Sequence, residues 1–176
     1  GQPRRSPHQK DILSIALSPD DKYVVSAGED KKLSLWDAEA QTLIWQKAEA
    51  HLRPIQSVAF SPTGSSFVSA SNDGKLRFSD TRKGDLLWET QPQEDQDSEI
   101  YEMYAAAFHP TQARVVSGGR DGNIRLWDVQ EQTKTTQWKA HEKRILAIAY
   151  SLDGQYIASA SGDDTVAIWD AKTQEL

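Results

Sequence analysis

The 176-residue chain has no cysteine. That absence excludes disulfides, thiolate metal sites and cysteine nucleophiles. No apolar run approaches the ~20 residues that a membrane-spanning helix requires. The basic start, Gly1-Gln2-Pro3-Arg4-Arg5-Ser6-Pro7, has no apolar stretch behind it and does not read as a secretory signal. An excess of positive charge is missing too, since 20 basic against 26 acidic residues leave a net charge of -6. A protein that grips a phosphate backbone needs a basic footprint, so nucleic acid is not the expected partner, nor is a membrane. No Gly-rich phosphate loop occurs, because the glycines fall in turn-like clusters, and no cofactor is implied. The expectation from these absences is a soluble, intracellular, cytoplasmic chain of one-domain length.

What is present is a repeat. Leu35-Trp36-Asp37 recurs as Phe78-Ser79-Asp80, Leu126-Trp127-Asp128 and Ile168-Trp169-Asp170, with the final Asp residues 43, 48 and 42 positions apart. Upstream, Ser26-Ala27-Gly28-Glu29-Asp30 matches Ser69-Ala70-Ser71-Asn72-Asp73, Ser117-Gly118-Gly119-Arg120-Asp121 and Ser159-Ala160-Ser161-Gly162-Asp163. Eighteen positions before each Ser stand His8, His51, Glu99 and His141. The four units run over 8–50, 51–98, 99–140 and 141–176, behind a flexible tail at 1–7. The longer second spacing comes from an acidic, apolar-free insert at 91–98, which reads as a surface loop.

Each unit is patterned for strands. Ile12 to Leu17, Ile55 to Phe60, Met103 to Phe108 and Ile145 to Tyr150 are short apolar runs that fit strands covered on both faces. Turn sequences such as Ser61-Pro62-Thr63-Gly64 follow them. A second strand leads into a hairpin such as Asn72-Asp73-Gly74, a third alternates as in Leu33-Ser34-Leu35-Trp36, and a fourth carries Trp45, Trp88 or Trp138. Four short antiparallel strands per repeat make the blade of a β-propeller.

From His8 to Asp170 these motifs resemble the WD40-repeat family. The resemblance implies an all-β propeller of four-stranded antiparallel WD40-type blades, four of them encoded, hence a partial or half propeller. It also implies a buried hydrogen-bonded tetrad in each blade: His before the first strand, Ser on the second, Asp in the hairpin turn and Trp on the third. Carried over, the tetrads are His8, Ser26, Asp30, Trp36 and His141, Ser159, Asp163, Trp169. Blade 2 keeps His51, Ser69 and Asp73 but has Ser79 for Trp. Blade 3 keeps Ser117, Asp121 and Trp127 but has Glu99 for His, and Glu99 is expected to be partly exposed.

Ser, His and Asp together also suggest a nucleophilic hydrolase. Fourfold repetition argues instead for a stabilising role, because a catalytic constellation is assembled once. No catalytic residue is therefore expected, and no metal site, since the histidines lie one blade apart. His109 reads as a turn residue. Asp20-Asp21 and Asp163-Asp164 fall in turns, and Lys31-Lys32, Arg82-Lys83 and Lys143-Arg144 read as solvated surface.

Leu43 and Leu86 lie six residues past Asp37 and Asp80, where a fourth strand opens; Leu176 lies six past Asp170. The fourth blade is thus expected to lack its outer strand. Part of a larger propeller is the favoured arrangement. A half-ring that pairs with a second copy into eight blades is the alternative, and a strained four-blade ring ranks last. The resemblance implies a non-enzymatic scaffold whose loops hold protein or peptide partners; the alternative is a sensor or targeting module of a larger signalling or enzyme-bearing polypeptide. By repeat register the contact face carries Asp11, Pro54, Glu102 and Arg144 at the strand entrances, and Glu29, Asn72, Arg120 and Gly162 before the turn Asp. Leu52, Ile100 and Tyr101 are its expected anchors.

Overall fold

A computed structural model of the chain describes residues 8–93 and 100–176. The tail at 1–7, residues 94–98 of the insert and Glu99 lie outside the described residues. Short apolar runs punctuated by Pro, Gly, Asn and Asp favour strands over helices, and no helix occurs among the described residues. Blade 1 is formed by β1 (Ile12–Leu17), β2 (Tyr23–Gly28), β3 (Leu33–Asp37) and β4 (Thr42–Lys47). Blade 2 has β5 (Ile55–Phe60), β6 (Ser66–Ser71), β7 (Leu76–Asp80) and β8 (Leu86–Glu89). Blade 3 has β9 (Met103–Phe108), β10 (Arg114–Gly119), β11 (Asn123–Asp128) and β12 (Thr133–Lys139). Blade 4 has β13 (Ile145–Tyr150), β14 (Tyr156–Ser161) and β15 (Val166–Asp170). Each sheet is an antiparallel meander in chain order. Blade 4 also forms the turn that in blade 2 leads to the outer strand: Asp170 N donates to Glu175 O as Asp80 N does to Asp85 O, both at 2.9 Å.

The apolar core lies between blades rather than within them. First strands pack in succession, β1 on β5, β5 on β9 and β9 on β13. At the first joint Val25, Ala27, Leu33 and Leu35 meet Ile55, Val58, Phe60 and Phe67. At the second, Val68, Leu76 and Phe78 meet Met103, Val115 and Trp127; at the third, Val116, Ile124 and Leu126 meet Ile145, Ile157 and Trp169. Every fully buried side chain of this size contributes ~1.5–3 kcal/mol. The outer strand of each of the first three blades adds an indole that reaches forward. Trp45 stacks on Phe67 with ring centroids 6.1 Å apart, Trp88 meets Trp127 edge-on at 6.4 Å, and Trp138 meets Trp169 at 5.9 Å.

The first strand was expected to be covered on both faces, and β1 is not. Ile15 is 68% and Leu17 52% exposed, because no blade sits before β1 among the described residues. On the far flank of blade 4, Val166 and Ile168 are 73% and 60% exposed. The four blades therefore make an open arc with an uncovered apolar flank at either end.

The turn after each hairpin Asp is left-handed in all four blades, with φ of 64° at Lys31, 79° at Gly74, 69° at Gly122 and 69° at Asp164. Gly122 also lies under the chain entering blade 4: its carbonyl accepts from Ala140 N and His141 N, both at 3.0 Å. A Cβ there would collide with the His141 carbonyl and stand 2.7 Å from that of Lys143. Gly122→Ala is expected to destabilise the chain by about 2 kcal/mol, whereas Lys31→Gly, relieving a strained turn, should shift stability upward by less than about 1 kcal/mol. Thermal unfolding followed by circular dichroism reads both signs.

Candidate functional site

A hairpin turn exposes backbone amides, and a carboxylate folded back over them gathers several donors at once. Blade 1 does this with Asp30, which accepts from Gln9 N at 3.0 Å, Lys32 N at 3.2 Å and His8 Nδ1 at 3.0 Å. The bond from Nδ1–H leaves His8 Nε2 as an acceptor for the Ser26 hydroxyl at 2.8 Å, and Ser26 Oγ accepts from Trp36 Nε1 at 2.9 Å. Blade 4 repeats the set. His141 lies 3.1 Å from Asp163 and 2.7 Å from Ser159, Trp169 donates to Ser159 at 3.0 Å, and Thr165 joins the carboxylate. In blade 2, His51 lies 2.9 Å from Asp73 and 2.8 Å from Ser69, while buried Ser79 stands where the indole would be.

The Ser hydroxyls are buried. Each Ser oxygen is engaged by Nε2 of its His, and in blades 1 and 4 by an indole N–H as well. The arrangement locks the hairpin to the segment entering the blade. Burial alone would raise the Asp73 carboxyl, but the His51 imidazole and the Leu52 and Lys75 amides outweigh it and hold the group at about 2. Burial lowers the His51 ring below its ordinary value despite Asp73 beside it.

Blade 3 solves the same problem differently. The Arg125 guanidinium takes the part the sequence leaves without a histidine: Nη1 donates to Asp121 Oδ1 at 3.1 Å and Nη2 to Oδ2. Both side chains are buried, and Asn123 gives Asp121 two more bonds. Arg125 Nε donates to Gln93 Oε1 at 3.1 Å, tying the described start of the insert to the blade. Trp127 donates to Ser117 at 2.8 Å. Reading along the sequence missed Arg125. Its spacing gave no signal, because Arg77 stands four residues after Asp73 in the same way and pairs with Glu89 instead.

His109 sits in its turn as expected, its Nδ1 accepting from Thr111 N at 3.2 Å and Gln112 N at 3.1 Å. Burial and then the Arg114 charge lower its basicity. Among the described residues no group of three or more metal-ligating side chains occurs, and no helix is long and apolar enough to cross a membrane.

The residues expected on a contact face are brought together in pairs by one recurring backbone bond. Glu29 N donates to Asp11 O at 2.9 Å, Asn72 N to Pro54 O at 3.0 Å, Arg120 N to Glu102 O at 2.8 Å and Gly162 N to Arg144 O at 2.9 Å. The Tyr104 hydroxyl donates to Glu102, and burial together with that carboxylate pushes it up to about 12, against the charges of Arg144 and Arg120. Leu52 is 71% exposed. Ile100 and Tyr101 are half-buried instead: Ile100 packs over the Gly74 turn, and Tyr101 N donates to Gln93 O at 2.6 Å.

Comparison with known proteins places this architecture. The family model described as outer membrane protein assembly factor BamB matches residues 5–176. Ribosomal RNA-processing protein 9 of Saccharomyces cerevisiae is 52% identical over 33 residues, 19% of this chain and 6% of that protein. The structure of U3-55K superposes with a TM-score of 0.86 over 97% of this chain and 52% of that one, at 19% identity. The chain thus spans about half the length of the U3-55K chain and matches a small part of the yeast protein. The likeness to U3-55K carries the fold, a WD40-like β-propeller, although the matching family model is not that of the WD40 repeat.

Two outcomes follow from the buried carboxylates. Arg125→Met strands Asp121 as an unpaired buried charge and should cost ~3–5 kcal/mol, with much of it restored in the Asp121→Asn, Arg125→Met double variant. Both variants are read by denaturant unfolding. Acid should destabilise the protein in two stages. The depressed His51 stays neutral in the fold while the unfolded ring, with its ordinary value of 6.5, takes a proton, so stability falls as pH drops below that value. The depressed Asp73 adds a second loss between its unfolded value of 3.8 and about 2. Melting temperatures measured from pH 8 to 2 should decline accordingly, and a His51→Asn variant should lose the first stage.

Proposed function

The chain belongs to the propeller-repeat family whose model is described as outer membrane protein assembly factor BamB, and from that premise we propose that it is a non-enzymatic scaffold holding protein or peptide partners on its loop face. The carrying observation is the recurring bond that sets Asp11 beside Glu29, Pro54 beside Asn72, Glu102 beside Arg120 and Arg144 beside Gly162. Four rigidly seated loop pairs on one face give a partner fixed positions to read, and rigid loops lose little entropy on binding. Leu52 supplies exposed apolar area, and Glu102 with Arg120 and Arg144 supplies charge of both signs. Such a mixture suits a protein surface better than a phosphate backbone.

Two further features support a setting for the scaffold. The yeast protein matched over 33 residues is named for ribosomal RNA processing, so an assembly of that kind, inside the cell, is the proposed setting. Within it the chain contacts protein rather than RNA. The likeness to about half of U3-55K fits a scaffold that works as one part of a larger propeller.

A photo-crosslinking amino acid placed at Leu52 or Arg120 tests the reading, with Leu152, in a strand-connecting turn at the other end of the blades, as the control. Covalent protein adducts should form at the first two positions and not at Leu152. Equal labelling at all three, or adducts to RNA rather than protein at Arg120, would sink the proposal.

A further inference from the structure

Three blades seat an indole on the serine of their second strand. Trp36 donates to Ser26 at 2.9 Å, Trp127 to Ser117 at 2.8 Å and Trp169 to Ser159 at 3.0 Å. Blade 2 has Ser79 at that position, and its hydroxyl makes no hydrogen bond among the described residues. The space has not closed around it. A cavity of about 260 Å³ lies at the joint between blades 1 and 2, with buried Ser79 and Leu33 and half-buried Ala50 at its floor. The matching positions of the third joint, Ile124 and Ala140, pack in one cluster with the Trp169 ring. The cavity is therefore the volume that a tryptophan at position 79 would occupy. Its neighbours are held elsewhere: Trp45 lies on Phe67 and donates to Thr81 O at 3.0 Å, and Arg77 Nε donates to Glu89 at 2.7 Å.

We propose that this cavity is a second binding site, at the outer edge of blades 1 and 2 rather than on the loop face, and that it takes the tryptophan side chain of a protein partner. Three properties select an indole. An apolar cavity of ~150 Å³ is enough to hold benzene, so this one has room for a bicyclic ring. Lys47 and Arg77 place two cations on its wall, and an indole face attracts a cation more strongly than a phenyl or phenol face does. The Ser79 oxygen supplies the acceptor that a buried ring N–H needs. A phenylalanine would leave that oxygen unmet, and an aliphatic side chain would use neither the cations nor the hydroxyl.

The rim suits a ring carried on a chain. Lys47 and Asp85 pair there at 3.2 Å, with side chains 40% and 60% exposed, and Leu86 is 51% exposed beside them. The cavity thus opens to solvent between the outer strands β4 and β8. That opening leaves a path for the partner's main chain, whose amides meet a cation and a carboxylate. Every wall belongs to blade 1 or blade 2, so the site is complete within one internal joint. The inference rests on the scaffold reading only in drawing the ring from a protein.

Titration of the isotope-labelled 176-residue chain with N-acetyl-tryptophanamide, followed through its backbone amide resonances, tests the site. The signals of Ala48, Ala50 and Leu86 should shift and saturate at millimolar ligand or below. The naphthylalanine analogue, similar in size but without a ring N–H, should bind about fivefold more weakly. Ser79→Ala should bring the two ligands within about twofold of each other. Ser79→Trp, which fills the cavity from within, should abolish the shifts for both, and Ser79→Ala decides the point should the larger residue not fold. A wild type without saturating shifts at these residues overturns the proposal. So do equal affinities for the two rings, unchanged binding in a folded Ser79→Trp variant, or binding of free indole where N-acetyl-tryptophanamide does not bind. The loop-face reading is tested apart: loss of adducts at Leu52 and Arg120 leaves this titration unaffected, and a failed titration leaves those adducts in place.

Discussion

Everything on the loop face hangs from one carboxylate per blade. An Asp in the hairpin between the second and third strands sits where several backbone amides point inward. In blades 1, 2 and 4 it satisfies them together with a histidine from the distant segment entering the blade, and in blade 3 together with Arg125, four residues on in the same hairpin. A buried acceptor of this kind is costly to leave half-satisfied, since each unpaired group forfeits ~1–3 kcal/mol. In blades 1, 2 and 4 the hairpin and the segment entering the blade are therefore held as one body, and the loops they support inherit that rigidity. Removing water from the carboxylate is what makes the lock specific, because only a donor at the right place compensates for it.

The blades meet through apolar faces and the hairpins through polar networks, so the two kinds of interaction occupy separate layers. Burial between blades supplies most of the free energy without directional demand. The carboxylate networks supply little net free energy but strict geometry. A scaffold benefits from that division, since surface loops can vary while the joints stay constant. It also explains why Ser79 is tolerated where blade 2 would carry an indole: Trp45 of blade 1 stacks on Phe67, and Phe78 packs edge-on against Trp88 at 4.3 Å.

Fixed offsets between His, Ser, Asp and Trp made the blades legible, because each residue type answers a separate demand of the same turn. The strand runs at Ile12, Ile55, Met103 and Ile145 could be read for the same reason. Three features could not. Lys31 and Asp164 occupy a left-handed turn that Gly74 and Gly122 enter without strain, and two unlike residues in one register hide a shared backbone shape. Arg125 reaches Asp121 along a side chain too long for a periodicity argument to aim. The exposure of Ile15 and Ile168 depends on what lies beside a blade, which a local pattern of apolar residues does not report.

The forward reach of the outer-strand tryptophans gives the arc a direction. Trp45, Trp88 and Trp138 each rest on the blade that follows, never on the one before. A ribosome releases the chain in that same order, so every blade waits for its successor to seat its last strand. Tension applied from the carboxyl side would run the sequence in reverse, freeing one indole, and with it one strand edge, at each step.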